Sequence, residues 1–112
     1  MEASSPQNRS IRPWIIAMAH RPMWCSNDFW CPSTDPFKQT WEAIFNEHID
    51  LYVAGHVHVY ERIWPVAPNG TVLQKNYEDV TTTVHICSGS AGNIEIALQA
   101  WYDPRPDWSA FR

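Results

Sequence analysis

Three of the five histidines in this 112-residue chain stand where a short apolar run stops. Leu51-Tyr52-Val53-Ala54 has the length and composition of a buried strand, and it runs through Gly55 into His56-Val57-His58. Pro13-Trp14-Ile15-Ile16-Ala17-Met18-Ala19 is a second such run, ending at His20 before Arg21-Pro22. Neutral imidazole is the commonest side-chain ligand of a transition metal. Open α/β sheets keep their ligands beyond the C-terminal ends of their strands. A lone His-x-His pair is as well explained by two side chains capping a core edge, since short motifs match by chance. Two strand ends that each deliver histidine make a ligand cluster the better explanation. Gly55 is expected to let the backbone turn sharply there and approach an ion.

The intervening segment must bring the two ends together. Residues 1–12 read as a polar entry loop, Trp14 to Ala19 as a strand, and Arg21 to Pro36 as a long loop. Asp35-Pro36 offers a helix start, with aspartate as N-cap and proline in the first turn. Phe37, Trp41, Ile44, Phe45 and His48 then recur at helical spacing and predict one apolar face against a sheet, with Lys38, Gln39, Glu42 and Glu47 in water. Strand, loop, helix and strand make a βαβ crossover. Its two strands are parallel, so both histidine-bearing ends should emerge on one edge. Asp50 precedes the second strand and should lie on the opposite edge.

Beyond Arg62, Ile63-Trp64-Pro65-Val66 and Thr71-Val72-Leu73 flank the turn Pro68-Asn69-Gly70 and read as a hairpin. Val80 to Cys87 is a β-branched strand, and past Trp101 the residues Pro104 and Pro106 interrupt regular structure. His48 and His85 read as structural: His48 closes the helix face near a helix C-terminus, and His85 is a satisfied core or edge histidine within a strand.

Ala17-Met18-Ala19-His20-Arg21-Pro22, the stretch Gly-His-Val-His-Val-Tyr-Glu-Arg from Gly55 to Arg62, and Ser88-Gly89-Ser90-Ala91-Gly92-Asn93 resemble the C-terminal part of the purple acid phosphatases. These are dinuclear metallophosphoesterases of the calcineurin-like superfamily. The order and spacing hold from about Arg12 to Arg112. The resemblance implies an α/β fold, part of a two-sheet sandwich flanked by helices. Residues 1–112 would then be the C-terminal portion of a catalytic domain, incomplete at both ends. It implies a parent enzyme that hydrolyses phosphomonoesters at acidic pH with Fe3+ and a divalent ion (Zn2+, Mn2+ or Fe2+). His20 and His56 would bind the divalent metal and His58 the ferric one, while Tyr60, Glu61 and Arg62 would hold the ligand loop in place.

Two departures qualify what this chain does alone. The family carries a further histidine in the loop after the His20 equivalent, where this chain has Phe29 and Trp30; Asp28 beside them is left as candidate leaving-group acid. The family's carboxylate ligands come from Gly-Asp and Gly-Asn-His motifs absent here. Three neutral imidazoles without a bridging carboxylate cannot hold two cations close together, so the chain supplies half a site. A catalytically inactive fragment or binding module is the alternative. A phosphodiesterase or nucleotidase of the same superfamily is a third, against which the Tyr60-Glu61-Arg62 extension speaks.

The formal charge of -4, with no Lys/Arg block, argues against a nucleic-acid surface. No apolar run reaches the roughly 18 residues of a membrane span, and the first residues are not a signal peptide. Cys25 and Cys31 share one loop and can pair in an oxidising compartment. Cys87 reads as a free core thiol, and no Cys-x-x-Cys zinc framework exists. Asn8 and Asn69 begin glycosylation sequons, which matter only for a secreted protein. The resemblance implies a secreted or lysosomal/vacuolar parent.

Overall fold

The structure, a computed structural model, describes residues 13–28, 31, 36–94 and 100–112. Five strands, β1 (Ile16–Ala19), β2 (Leu51–Ala54), β3 (Tyr60–Ile63), β4 (Val84–Ser88) and β5 (Ser109–Phe111), form one sheet, with a helix α1 (Pro36–His48) between the first two. The sheet order is β1-β2-β4-β3-β5. As the crossover argument requires, β1 and β2 are parallel, with Ile16 opposite Leu51 and Ala19 opposite Ala54. β4 adds in parallel to β2, β3 pairs antiparallel with β4, and β5 pairs antiparallel with β3 at the sheet edge. Asp50 stitches the far edge: its carboxylate accepts from the Ile15 amide at 2.7 Å, and its own amide donates to the Ile15 carbonyl at 2.9 Å. It therefore stands at the opposite end of the strands from His56.

One face of the sheet carries Tyr52, Ala54 and Ile63 into a core with Met23, Trp24 and Val66, joined by Phe37 and Phe45 of the helix. On the other face, Met18 is 80% exposed and Ile16 57% exposed. The second sheet of the expected sandwich does not occur among the described residues. Nor, among them, is any helix long and apolar enough to cross a membrane.

The helix faces the core differently from the expected stripe. Phe37 and Phe45 point inward, but Trp41 and Ile44 are exposed and Glu42 is buried. The cause is Trp24. Its indole N–H needs an acceptor once buried and finds Glu42 Oε1 at 2.7 Å. Lys38, expected in water, lays its ammonium 3.0 Å over the same indole and 3.9 Å from Glu42. Burial lowers the Lys38 pKa against the attraction of Glu42, and burial raises that of Glu42. One turn on, Asn46 Oδ1 accepts from the Thr82 hydroxyl at 2.8 Å. The inward stripe is thus partly polar, rotated toward the loop that supplies the donor. The N-cap Asp35 lies outside the described residues.

That loop is the second departure. Met23 to Asn27, read only as part of a long loop, is wholly buried. The Tyr52 hydroxyl anchors its start by donating to the Arg21 carbonyl at 2.5 Å, and a disulfide joins Cys25 to Cys31 across 5.8 Å between Cα atoms. The expected hairpin reduces to one bridge, Val66 to Val72, around Gly70 with its φ of 87°. Asn69 is exposed in that turn and caps the Thr71 amide at 3.0 Å; Asn8 lies outside the described residues.

Candidate metal centre

His20 directly follows β1, and His56 follows β2 after Gly55. The parallel register sets them side by side: His20 Nε2 lies 3.0 Å from His56 Nδ1. Their rings meet edge to face, centroids 4.8 Å apart. Two imidazoles on one metal at 2.0–2.1 Å hold their nitrogens about 2.9 Å apart at a right angle and about 3.4 Å apart at the tetrahedral angle. The observed separation lies within that interval, so the pair fits a shared ion.

The turn that presents His56 is strained. His56 itself has φ 61°, the left-handed region that costs a non-glycine residue roughly 1–2 kcal/mol. Gly55, expected to supply the sharp turn, does not adopt this conformation, and a Cβ there would meet only the His20 carbonyl oxygen at an ordinary 3.8 Å. The tight loop is held by its own backbone and from below. Val57 N donates to Gly55 O at 2.7 Å and Val59 N to Val57 O at 2.8 Å. Beneath it, Gly89 N donates to Val59 O at 3.1 Å, and the buried Cys87 thiol lies 3.6 and 3.7 Å from the Gly55 and Val57 carbonyls. Burial pushes the Cys87 thiol up to about 12, so it stays protonated and can donate. A Cβ on Gly89 would stand 2.0 Å from the Val57 carbonyl oxygen. Gly89, noticed in the sequence only as part of a motif, is the glycine this site requires.

His58 is half-buried and lines a recess of about 300 Å³ with Tyr60, Ser90, Trp101, Phe111 and Arg112. Among the described residues no three histidine, cysteine or acidic side chains stand close enough to hold a metal. The chain thus brings His20 and His56 together, and His58 faces the recess two residues further on.

Glu61, expected beside Arg62 as support for the ligand loop, is fully buried and does something more extensive. It accepts from the Ser26 amide at 2.6 Å, the Ser26 hydroxyl at 2.5 Å and the Ser109 hydroxyl at 2.6 Å. It therefore ties the disulfide loop and β5 to β3, the strand that continues from His58. Arg62 stacks 5.2 Å over Tyr77, with its buried Nε unpaired. Tyr60 is half-exposed and meets Phe111 edge to face. Asp28 is exposed, bonded through its amide to the Ala100 carbonyl at 2.6 Å, and its charge reaches Tyr102, whose pKa rises mainly through burial. Phe29 and Trp30 lie outside the described residues.

His48 ends α1 as expected, 3.8 Å from the Glu47 carboxylate. His85 contradicts its reading as a satisfied histidine. It is 2% exposed, and neither ring nitrogen has a hydrogen-bond partner. It packs edge to face on Tyr52, 5.8 Å between centroids, and burial drives its pKa down to about 3. No local signal in Val84-His85-Ile86 distinguishes it from a paired histidine, because partners are supplied by other elements.

A family model described as calcineurin-like phosphoesterase matches residues 3–60, and one described as iron/zinc purple acid phosphatase-like protein C matches residues 82–112. The chain is similar to acid phosphatase type 7 of Danio rerio, 40% identical over 99% of this chain and 29% of that protein. It is likewise similar to purple acid phosphatase 19 of Arabidopsis thaliana, 35% identical over 100% of this chain and 30% of that protein. Its fold resembles a purple acid phosphatase from yellow lupin (Lupinus luteus) seeds, with a TM-score of 0.76 and 24% identity, over 92% of this chain and 19% of that one. The chain thus spans under a third of the length of the curated relatives it matches.

Proposed function

Because the chain belongs to the calcineurin-like phosphoesterases, in the purple acid phosphatase branch, we propose that it is the C-terminal part of the catalytic domain of a metal-dependent acid phosphatase acting on phosphate monoesters. The observation that carries this reading is the 3.0 Å approach of His20 Nε2 to His56 Nδ1 at the C-terminal edge of a parallel strand pair. In this reading His20 and His56 hold a divalent ion, Zn2+, Mn2+ or Fe2+, and His58 contributes to a neighbouring Fe3+. Metal ions held there would supply charge neutralisation and Lewis-acid activation for phosphate-ester hydrolysis.

The chain's own part is to preorganise donors. The βαβ unit fixes both strand ends, Gly89 and Cys87 brace the His56 turn from below, and Glu61 holds the strand behind His58. Carboxylate ligands would come from sequence beyond this chain. The disulfide and the exposed Asn69 support a secreted or lysosomal/vacuolar setting for the parent.

The presence of only one close histidine pair among the described residues favours a second reading of the chain taken alone, as a metal-binding fragment without turnover. One set of measurements separates the two. The full-length protein, loaded with iron and zinc, is assayed with a chromogenic phosphomonoester at acidic pH, and metal uptake is followed by calorimetry. Replacing His20 or His56 by alanine should lower divalent-ion affinity at least about tenfold and abolish turnover. Full turnover in His56→Ala would sink the metal reading. Turnover by the isolated 112-residue chain would sink the half-site.

A further inference from the structure

We infer that the Cys25–Cys31 disulfide positions the histidine loop by acting through Val57, so that breaking it weakens metal binding at His56 while the fold persists. This rests on the metal-site reading above. Burial alternates along the loop: His56 and His58 are half-buried, whereas Val57 is fully buried and Val59 nearly so. The valines between and after the two histidines belong to a small cluster of their own. Cys25 and Cys87 complete it, and Cys31 and Trp101 pack against it. One bonded cysteine pair and one free thiol thus form the wall behind the loop.

Val57 is held on two sides. Its amide donates to the Gly55 carbonyl at 2.7 Å, and its own carbonyl lies 3.7 Å from the Cys87 thiol, so β4 and the loop itself fix the backbone. The side chain packs in the cluster that Cys25 completes. Valine is stiff at its one side-chain torsion, so a shift of that wall is passed to the backbone that carries His56 and His58. The main chain around the two cysteines is seated independently of their sulfurs. The Ser26 amide donates to Glu61 at 2.6 Å and its carbonyl accepts from Tyr102 N at 2.8 Å. The Cys31 amide donates to the Asn27 carbonyl at 3.2 Å, and the Cys31 carbonyl accepts from the Tyr102 hydroxyl at 3.0 Å. These bonds keep the segment in place without the disulfide, but they leave the sulfurs to their mutual bond. Once it is broken, each cysteine side chain regains its staggered rotamers, and the surface behind Val57 is no longer a single one. A close-packed interior transmits that change to its neighbours.

The test uses the full-length protein, stripped of metal and titrated with Co2+. Affinity is read by calorimetry and ligand geometry by the visible absorption of the bound ion, which follows the number and arrangement of its ligands. Wild type is compared with Cys25→Ser/Cys31→Ser, which removes the link at nearly constant volume and leaves no thiol to pair with Cys87. Val57→Ala removes the contact and keeps the link, so it decides the matter even if the cysteine variant does not fold. Both variants should unfold in one cooperative transition, bind Co2+ at least about tenfold more weakly than wild type and change its absorption. Variants that melt at lower temperature but bind Co2+ with wild-type affinity and spectrum would overturn the inference, because the disulfide and Val57 would then stabilise the fold without positioning the loop. His56→Ala separates this failure from that of the metal-site reading. Co2+ binding indifferent to His56→Ala would overturn the metal site itself, whereas binding that needs His56 and ignores both the disulfide and Val57 would overturn the positioning role alone.

Discussion

Replacing Glu61 by alanine should be among the most damaging single changes in this chain. The carboxyl accepts three hydrogen bonds from Ser26 and Ser109, and all three residues are buried. Alanine strands those donors. The Ser26 amide cannot turn elsewhere, and a buried unpaired donor costs about 1–3 kcal/mol. The two hydroxyls can rotate and recover part of their loss, but the space left by the side chain adds a cavity cost. The sum is about 3–5 kcal/mol, a large part of the 5–15 kcal/mol that holds a typical domain together. Glutamine separates hydrogen bonding from volume. Its carbonyl can take the Ser26 amide while its NH2 donates to hydroxyl oxygens that turn to accept, so Glu61→Gln should cost about 1 kcal/mol. Urea unfolding of both variants in the full-length protein measures the difference. Ser109→Ala combined with Glu61→Ala should cost less than the sum of the two, because the second change removes a donor already stranded. A Glu61→Ala midpoint close to wild type, or a glutamine variant as unstable as the alanine one, would refute the reasoning.

Two further outcomes follow from the geometry. Gly89→Ala would put a methyl 2.0 Å from the Val57 carbonyl, so the loop must move; divalent-ion affinity should fall at least about tenfold, and an affinity equal to wild type would show that the loop position is not set from below. For His85, the native pKa of about 3 lies below the ordinary 6.5, so between these values the unfolded chain binds more protons. Its contribution is therefore fully present above pH 6.5 and is lost as pH falls toward 3, by up to about 1.4 kcal/mol per pH unit. Urea midpoints at several pH values should show a shallower acid loss in His85→Leu than in wild type, a comparison that cancels the opposite-signed effect of the raised Glu42. Identical pH slopes would mean that His85 is hydrated or paired in solution.

Local pattern determined a good deal of this protein. Two apolar runs of strand length, a proline-led helix and the handedness of crossovers were enough to put His20 and His56 on one sheet edge and Asp50 on the other. The tertiary structure decided what those positions became. Spacing places Trp41 and Ile44 on the helix's apolar stripe, but the helix turned to meet the Trp24 indole, because a buried donor needs an acceptor more than an exposed isoleucine needs cover. Glu61 in mid-strand reads as support for the ligand loop, but the partners it bonds, Ser26 and Ser109, 35 and 48 residues away, are not legible in the local sequence. The left-handed turn falls on His56 rather than Gly55 because β4 presses Gly89 and Cys87 against the loop from below. Periodicity records which residues can share a face. Which donor finds which acceptor, and which backbone approaches another to contact, are settled only when distant elements pack.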